Sequence, residues 1–312
     1  DAISREAVKE MLSGSDLSPV TMADRQLFLS HYRKFPQVHS DNTFTNIICW
    51  NPYAHYRYAY LKENLLISST IEGRTSFRPP IGPRDPGLLA DLMELCIKDG
   101  DETPLTLIDA AQRAWILSEY PDLPLYPDRN YSEYVYRTED LASLPGKDYL
   151  SIRRHLNKFR KNCKPIVEAI DTRNQDEVNE FLIEWCEWKN CDGEPFLSHE
   201  KEAVICALSS MEEIGLSGIL IRVVGKVGAI SLFEPLNEDT LVVHFEKGLP
   251  DCEGIYKAIN AETAFYARER FHFINRESDM GVPGLREAKM RYHPHHMVEV
   301  WHATREDIER VI

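Results

Sequence analysis

From residue 164 onward the chain alternates strand-like and helix-like segments with short connections, and that order restricts the fold more than any single residue does. Residues 164–169 read as a short strand. Residues 176–189 follow as a helix with Val178, Phe181, Leu182, Trp185 and Trp188 at helical spacing. Ser198 offers an N-cap, and 203–214 continues as a second helix until Gly215 ends it. The β-branched runs 218–224 and 227–234 meet at Gly225-Lys226, a hairpin signal, and 240–246 adds a third strand after the polar Asn237-Glu238-Asp239 turn. Residues 254–269 are helical, 272–276 a strand, 283–291 a helix with proline near its start, and 297–302 a closing strand. The predicted order, β-α-α-β-β-β-α-β-α-β, specifies a layered α/β or α+β architecture rather than a bundle or sandwich.

The first half fits the same order. Segments 19–22, 24–32, 46–50, 56–62, 65–70, 85–99, 105–108 and 109–119 fall in a compatible sequence, with Asp85-Pro86 supplying N-cap and N1 chemistry. A chain of 312 residues exceeds one hydrophobic core and suits two domains of about 150 residues each. The element order is that of the GNAT N-acyltransferase fold. The expected fold is therefore two tandem GNAT-like domains, each a mixed sheet flanked by helices: 1–140, a basic linker helix at 141–163, and 164–312 with the active site. The stretch 120–148, rich in proline, tyrosine and acids, is expected to hold a connecting strand at 131–136.

Charge narrows the partners. Thirty-six basic residues against 50 acids give −14, a surface that repels nucleic acid and anionic membrane except through a local basic patch. One such patch stands out. Along 149–163, Tyr149, Ile152, Leu156, Phe159 and Cys163 form an apolar stripe, while Arg153, Arg154, Lys158, Arg160 and Lys161 occupy the flanks with Lys164 beyond and no acid among them. Two readings stand: a strip holding a phosphate-bearing substrate such as a tRNA acceptor end, or a solvated face attracted to the acidic body. Seven cysteines without a Cys-x-x-Cys pair are expected to be reduced thiols in a cytoplasm, and Cys186 and Cys191 read as packing rather than metal ligation. No apolar run is long enough to span a membrane, and the N-terminus lacks a basic segment followed by an apolar one. A cytoplasmic protein without membrane insertion is expected.

The densest candidate site follows the last long strand. Asn275, Arg276, Glu277 and Asp279 end an apolar run, where open α/β sheets place ligands, and Gly281 and Gly284 permit tight turns. Arg286 and Lys289, three apart on one helical face, are expected to point back at those carboxylates. Glu246 and Lys247 at the preceding strand end, with Tyr256 and Asn260 at i and i+4 on the next helix, are expected to complete a substrate pocket. The competing reading is a charge network that only fixes the turn. His293, His295, His296 and His302 show no ligand spacing and read as a polar loop, so no metal is expected; Cys252, between acids, is a poor nucleophile.

These residues carry a resemblance. His244-Phe245-Glu246-Lys247-Gly248, Gly254-Ile255-Tyr256-Lys257-Ala258-Ile259-Asn260 and Asn275-Arg276-Glu277-Ser278-Asp279-Met280-Gly281 through Lys289 resemble the phosphatidylglycerol lysyltransferase C-terminal family. Gly146-Lys147 through Phe159 resembles its linker helix, and Ser40-Asp41-Asn42-Thr43-Phe44 with Trp50 its first domain. The resemblance implies a tandem GNAT-like fold and transfer of an aminoacyl group from aminoacyl-tRNA to an acceptor hydroxyl, here in a stand-alone soluble chain without the lysyltransferases' membrane region. Coenzyme A is disfavoured, because Asp251 and Glu253 in the loop Lys247-Gly248-Leu249-Pro250-Asp251-Cys252-Glu253-Gly254 repel a pyrophosphate. Arg78, Gly82 and Arg84 ahead of Asp85 mark a second phosphate candidate. With an activated donor, catalysis reduces to positioning, deprotonation and oxyanion stabilisation. Glu277 or Asp279 is expected as base or amine anchor, Arg276 or Lys289 as oxyanion or phosphate partner, Asn275 and Tyr256 as orienting groups. The alternatives are a non-catalytic small-molecule binding module and an acyl-CoA-dependent N-acyltransferase.

Overall fold

A computed structural model describes residues 12–312, and the expectation about an N-terminal leader falls largely outside the described residues. The chain forms two compact units, but not at the expected boundaries. One unit comprises the described residues up to Val20, Ala54–Asp128 and Val300–Ile312; the other comprises Thr21–Tyr53 and Arg129–Glu299. The division at 140 and 163 fails because elements are exchanged along the chain, which local periodicity cannot register. Residues 21–53 supply helices to the unit built mainly from the second half, and the last thirteen residues return to the first unit.

In the first unit, β1 (Ser18–Pro19), β2 (Arg57–Leu61), β3 (Asn64–Ile71), β4 (Arg74–Phe77), β5 (Leu105–Ile108) and β6 (Tyr126–Pro127) join the strand Trp301–Ala303 in a seven-stranded mixed sheet. The Trp301–Ala303 strand sits between β5 and β6. Helix Pro86–Asp99, capped by Asp85 with proline in its first turn, packs Leu88, Leu89, Leu92 and Cys96 onto this sheet. Arg78, read as a phosphate candidate, instead turns inward to the Tyr56 hydroxyl at 3.2 Å. β4 escaped the sequence reading, as did helix Arg305–Val311, whose Thr304 accepts from the Asp307 amide.

In the second unit, β7 (Glu133–Arg137), β8 (Ile166–Ala169), β9 (Ser217–Val223), β10 (Lys226–Pro235), β11 (Thr240–Gly248), β12 (Phe273–Ser278) and β13 (His296–Val298) pair in the order β13-β7-β12-β11-β10-β9-β8. All neighbours are antiparallel except β11 and β12. Alternation along the strands feeds two cores. Ile219, Ile221, Ala229 and Phe233 meet helices Leu150–Cys163 and Ile255–Ala267, while Leu220, Ile230, Leu232 and Phe245 meet Gln175–Lys189 and Pro195–Ser209. Truncating Phe159, fully enclosed here, to alanine would cost about 3–5 kcal/mol.

Several local expectations change. The expected linker helix is a core element, because the predicted stripe of Tyr149, Ile152, Leu156, Phe159 and Cys163 is buried in this unit. The single strand expected at 297–302 is two strands in different sheets, since the chain leaves the second unit after Glu299. The second helix begins at Pro195 with Glu194 at its N-cap, so Ser198 lies inside it. The β9–β10 turn is made by Val224 (φ 51°) and Gly225 (φ 74°), one residue earlier than read. The cysteines are not all free thiols. Cys163 and Cys252, 6.5 Å apart between Cα atoms, and Cys186 and Cys191, 5.0 Å apart, are joined as disulfides. A separation of 89 residues hides the first pair from spacing arguments, and the left-handed turn at Asn190 (φ 55°) folds Cys191 back to Cys186.

Candidate functional site

The parallel pairing of β11 with β12 stops at Val242 and Asn275, and each strand carries an irregularity just beyond that point. Opposite Leu232 and Phe233 of β10 stand Phe245 and Val243, so His244 is an extra residue in β11. Opposite Val135 and Glu133 of β7 stand Asn275 and Ser278, so β12 also holds one residue too many, and Glu277 takes φ 61°. Two devices hold this strained kink. The Asn275 side-chain oxygen accepts from the Glu277 amide at 2.8 Å, and Lys289 Nζ donates to the carbonyls of Arg276 (2.6 Å) and Ser278 (2.7 Å). Burial and the Arg276 charge push the Lys289 amine down to about 8.

The kinks aim the polar side chains into separate neighbourhoods. In the first, His244 lies wholly buried with Nε2 2.9 Å from Glu234 and Nδ1 3.6 Å from Glu277. Burial alone would lower the imidazole, but the hydrogen bond to Glu234 and the charges of both carboxylates outweigh it and lift it to about 10, so the ring is a cation between two anions at neutral pH. Burial would raise Glu277 in turn, yet His244 and hydrogen bonds hold it below the usual carboxylate range. Helix Phe44–Cys49 closes this group: Thr45 donates to Glu234, and Asn46 Nδ2 donates to Glu277 at 2.9 Å and to the Ser40 carbonyl at 3.0 Å. Ser40 continues the chain to the buried Glu133 through its amide (2.7 Å) and hydroxyl, and Asn275 Nδ2 reaches the same carboxylate at 2.9 Å. Burial pushes Glu133 up, against the pull of His39.

The second neighbourhood surrounds Arg276. Its guanidinium donates to Glu246 Oε1 at 2.8 Å, and its three nitrogens lie 2.9–3.2 Å from the Asn260 side-chain oxygen. It lies 5.9 and 5.5 Å from the ring centres of Tyr136 and Tyr292. Only 15% of the Arg276 side chain and 10% of the Glu246 side chain meet solvent, yet Glu246 Oε2 is buried without a hydrogen-bond donor. A buried carboxylate oxygen with unused acceptor capacity is costly unless something supplies a proton donor.

Asp279 is fully engaged elsewhere. It accepts from Arg286 (2.9 and 3.1 Å), Arg129 (3.2 Å), the Tyr134 hydroxyl (2.5 Å) and the Gly281 amide (2.8 Å). Burial opposes ionisation, but these donors hold its carboxyl far below the usual range. The residues grouped by sequence thus divide: Asp279 with Arg286, Glu277 with His244, Lys289 with the kink, and Asn275, wholly buried, with Glu133. Glu246 and Lys247 also part, because successive residues face opposite sides. Lys247 bonds Glu200 and lies 4.5 Å from the Trp185 ring, whose Nε1 donates to Tyr256 at 3.4 Å, while Asn260 reaches Arg276.

On helix Leu150–Cys163, Arg153 turns back to the Leu144 and Gly146 carbonyls, Lys158 pairs with Glu253 at 3.4 Å and Arg160 with Glu262 at 3.6 Å. Arg154 and Lys161 are exposed and, among the described residues, have no ion-pair partner. His39, Asp41 and Glu133 converge closely enough to suggest metal ligands, but Glu133 Oε1 already accepts from Ser40 and Asn275, and His39 Nδ1 accepts from the Asp41 amide at 3.1 Å. Sequence reasoning missed His39, Glu133, Glu234, His244 and Arg129 as site-shaping groups. The one signal was the polar run Ser40-Asp41-Asn42-Thr43 ahead of an apolar helix, a run that is mostly buried.

Two seven-stranded mixed sheets flanked by helices, with a split and kinked strand pair carrying buried charge, define a GNAT-like acyltransferase fold. The chain belongs to the phosphatidylglycerol lysyltransferase C-terminal family, whose model matches residues 32–304. A conserved Bacteroides thetaiotaomicron protein of unknown function is 30% identical, with a TM-score of 0.86, and the match covers 92% of this chain and 98% of that one. L-PGS from Bacillus licheniformis shares the fold at 12% identity and a TM-score of 0.63, over 90% of this chain and 91% of that one. A GNAT-family acetyltransferase from Colwellia psychrerythraea shares it at 11% identity and a TM-score of 0.51, over 92% and 99%. No curated protein matches the chain. Among the described residues no helix is long and apolar enough to cross a membrane.

Proposed function

We propose that this transferase-type chain moves an aminoacyl group from an activated ester, such as aminoacyl-tRNA, to a hydroxyl or amine acceptor at the Glu246–Arg276 pair. The observation that carries this reading is the unused buried oxygen of Glu246 beside a guanidinium held in place by Asn260, Tyr136 and Tyr292. The α-ammonium of an aminoacyl donor supplies the missing hydrogen-bond donor. Arg276 then offers positive charge to the oxyanion that forms when the acceptor attacks the ester carbon, at no reorganisation cost because the guanidinium is already fixed. The donor arrives activated, so no serine or cysteine nucleophile is required.

The donor is not a coenzyme A thioester in this reading, because the loop that would cradle a pyrophosphate is taken up by the protein. Cys252 is bonded to Cys163, Glu253 pairs with Lys158, and Gly254 (φ 93°) sits so close to helix Leu150–Cys163 that a Cβ there would lie 3.2 Å from the His155 carbonyl. Arg154 and Lys161 on that helix are the cations left for a phosphate backbone. Incubation with aminoacyl-tRNA carrying labelled amino acid, together with candidate acceptors including phosphatidylglycerol, tests the proposal. Label leaving the tRNA for an acceptor faster than spontaneous hydrolysis is expected from the native chain and not from Glu246→Gln; hydrolysis at the background rate with every donor, alongside acetyl transfer from acetyl-CoA, would overturn it.

A further inference from the structure

Helix Leu150–Cys163 ends at Cys163, and the loop that leads from β11 into helix Ile255–Ala267 carries Cys252. Their disulfide therefore joins two elements 89 residues apart in sequence. The bond is reachable from solvent. Both cysteines line a surface cavity of about 390 Å³, whose other walls include Val223, Val227, Leu249 and Ile255. Cys252 is half-exposed, whereas Cys163 is 7% exposed. The second disulfide also borders a cavity, but Cys186 (6%) and Cys191 (1%) are both buried, and their separation of five residues closes a single turn.

The loop is anchored at its ends and weakly held between them. Leu249 is buried and donates its amide to the Gly228 carbonyl at 2.9 Å, and Ile255 is buried in the core. Pro250, Asp251 and Glu253 are exposed. The loop meets helix Leu150–Cys163 through the disulfide, through packing at Gly254 and through the Lys158–Glu253 pair, whose side chains are 61% and 71% exposed. An ion pair so exposed contributes little, so the covalent bond is the main restraint on residues 250–253.

We propose that Cys163–Cys252 is a thiol–disulfide exchange site, opened by a small dithiol that enters the cavity, and that its state sets the order of this loop. A thiolate of the dithiol attacks the accessible Cys252 sulfur, the S–S bond breaks, and Cys163 leaves as a thiolate that takes a proton. The second sulfur of the dithiol, giving up its proton, then attacks the first and releases Cys252, which takes a proton and becomes a thiol. The protein has gained two electrons and two protons, and the dithiol has lost them and become a cyclic disulfide. Helix Leu150–Cys163 stays in place because Ile152, Leu156 and Phe159 are buried, so the loop is the part set free. It runs directly into the helix that carries Asn260 beside Arg276, which places the exchange site on the support of the candidate site.

The test treats the oxidised full chain with dithiothreitol, caps the freed thiols with iodoacetamide at timed intervals and locates the caps by mass spectrometry. Cys163 and Cys252 should be capped together, at least about tenfold sooner than Cys186 and Cys191. Amide exchange, followed on the uncapped chain when only the first bond is open, should quicken at least about tenfold across 251–254 and stay unchanged across 150–159. Cys163→Ser should show the fast exchange without dithiol. Three results in the native chain would overturn the proposal: free thiols at 163 and 252 after oxidation, earlier opening of Cys186–Cys191, or equal exchange across 251–254 with the bond open and closed.

Discussion

On one side of the β12 kink the carboxylates are met by cationic partners: five hydrogen bonds converge on Asp279, and His244 stands as a cation between Glu234 and Glu277. Around Arg276 the side chains are largely buried, yet Glu246 keeps an oxygen with nothing to accept from. The same strand therefore borders two buried charge groups with different consequences. A saturated group gains nothing from a ligand and loses much if a member is removed, whereas an unsaturated one is completed by a ligand. That contrast separates residues that hold the kink from residues available for chemistry.

The comparison breaks most visibly at Asp279. Asp279→Ala strips the counter-ion from Arg286 and Arg129 and a partner from Tyr134, and should destabilise the chain by about 3 kcal/mol in urea melts, the scale of a broken buried pair. His244→Gln should cost about 2 kcal/mol at pH 7 by leaving two buried carboxylates without their cation. Its signature is in pH. The native ring stays charged to about 10, against 6.5 when unfolded, so its stabilisation is whole below pH 6.5 and disappears as pH rises through 10. Melting temperatures from pH 6 to 10 should converge between native chain and variant, and parallel curves would mean that the ring is neutral.

Glu246→Gln sharpens the contrast from the other side. It keeps an acceptor for Arg276, so stability should change by about 1 kcal/mol or less while transfer is lost. A large fall in stability with activity retained would place Glu246 among the holding residues. The smallest effect belongs to the exposed cations. The double variant Arg154→Ala, Lys161→Ala should move stability by less than about 0.5 kcal/mol, and should reduce the salt slope of tRNA binding by about 2 if both meet phosphate. An unchanged slope measured by fluorescence anisotropy would assign them to the solvated face.

Much of this fold was legible because periodicity is a local property. The buried stripe from Tyr149 to Cys163, the strands at β9 to β12 and the proline-led helix Pro283–Met290 follow from it directly. What was hidden depends on register or on distant pairing. No local pattern reveals that His244 is an extra residue in β11, that Glu133 lies across from Ser278, or that residues 21–53 build the second unit. The polar cluster at 275–289 was visible as a concentration of charge, but the partition of its members was not, because a left-handed residue at Glu277 redirects every side chain after it. Glu234 and Arg129 carried no signal at all: each is an ordinary charged residue until the sheet brings it beside a buried partner.

The most direct test of the unused Glu246 oxygen compares two donor mimics by titration calorimetry, one a non-hydrolysable aminoacyl-adenosine and the other its counterpart with the α-amine replaced by hydrogen. The native chain should bind the amine-bearing mimic at least about tenfold more tightly, worth about 1.4 kcal/mol, and Glu246→Gln should erase the difference. Equal affinity of the native chain for both mimics would contradict the assignment of Glu246 as the ammonium partner.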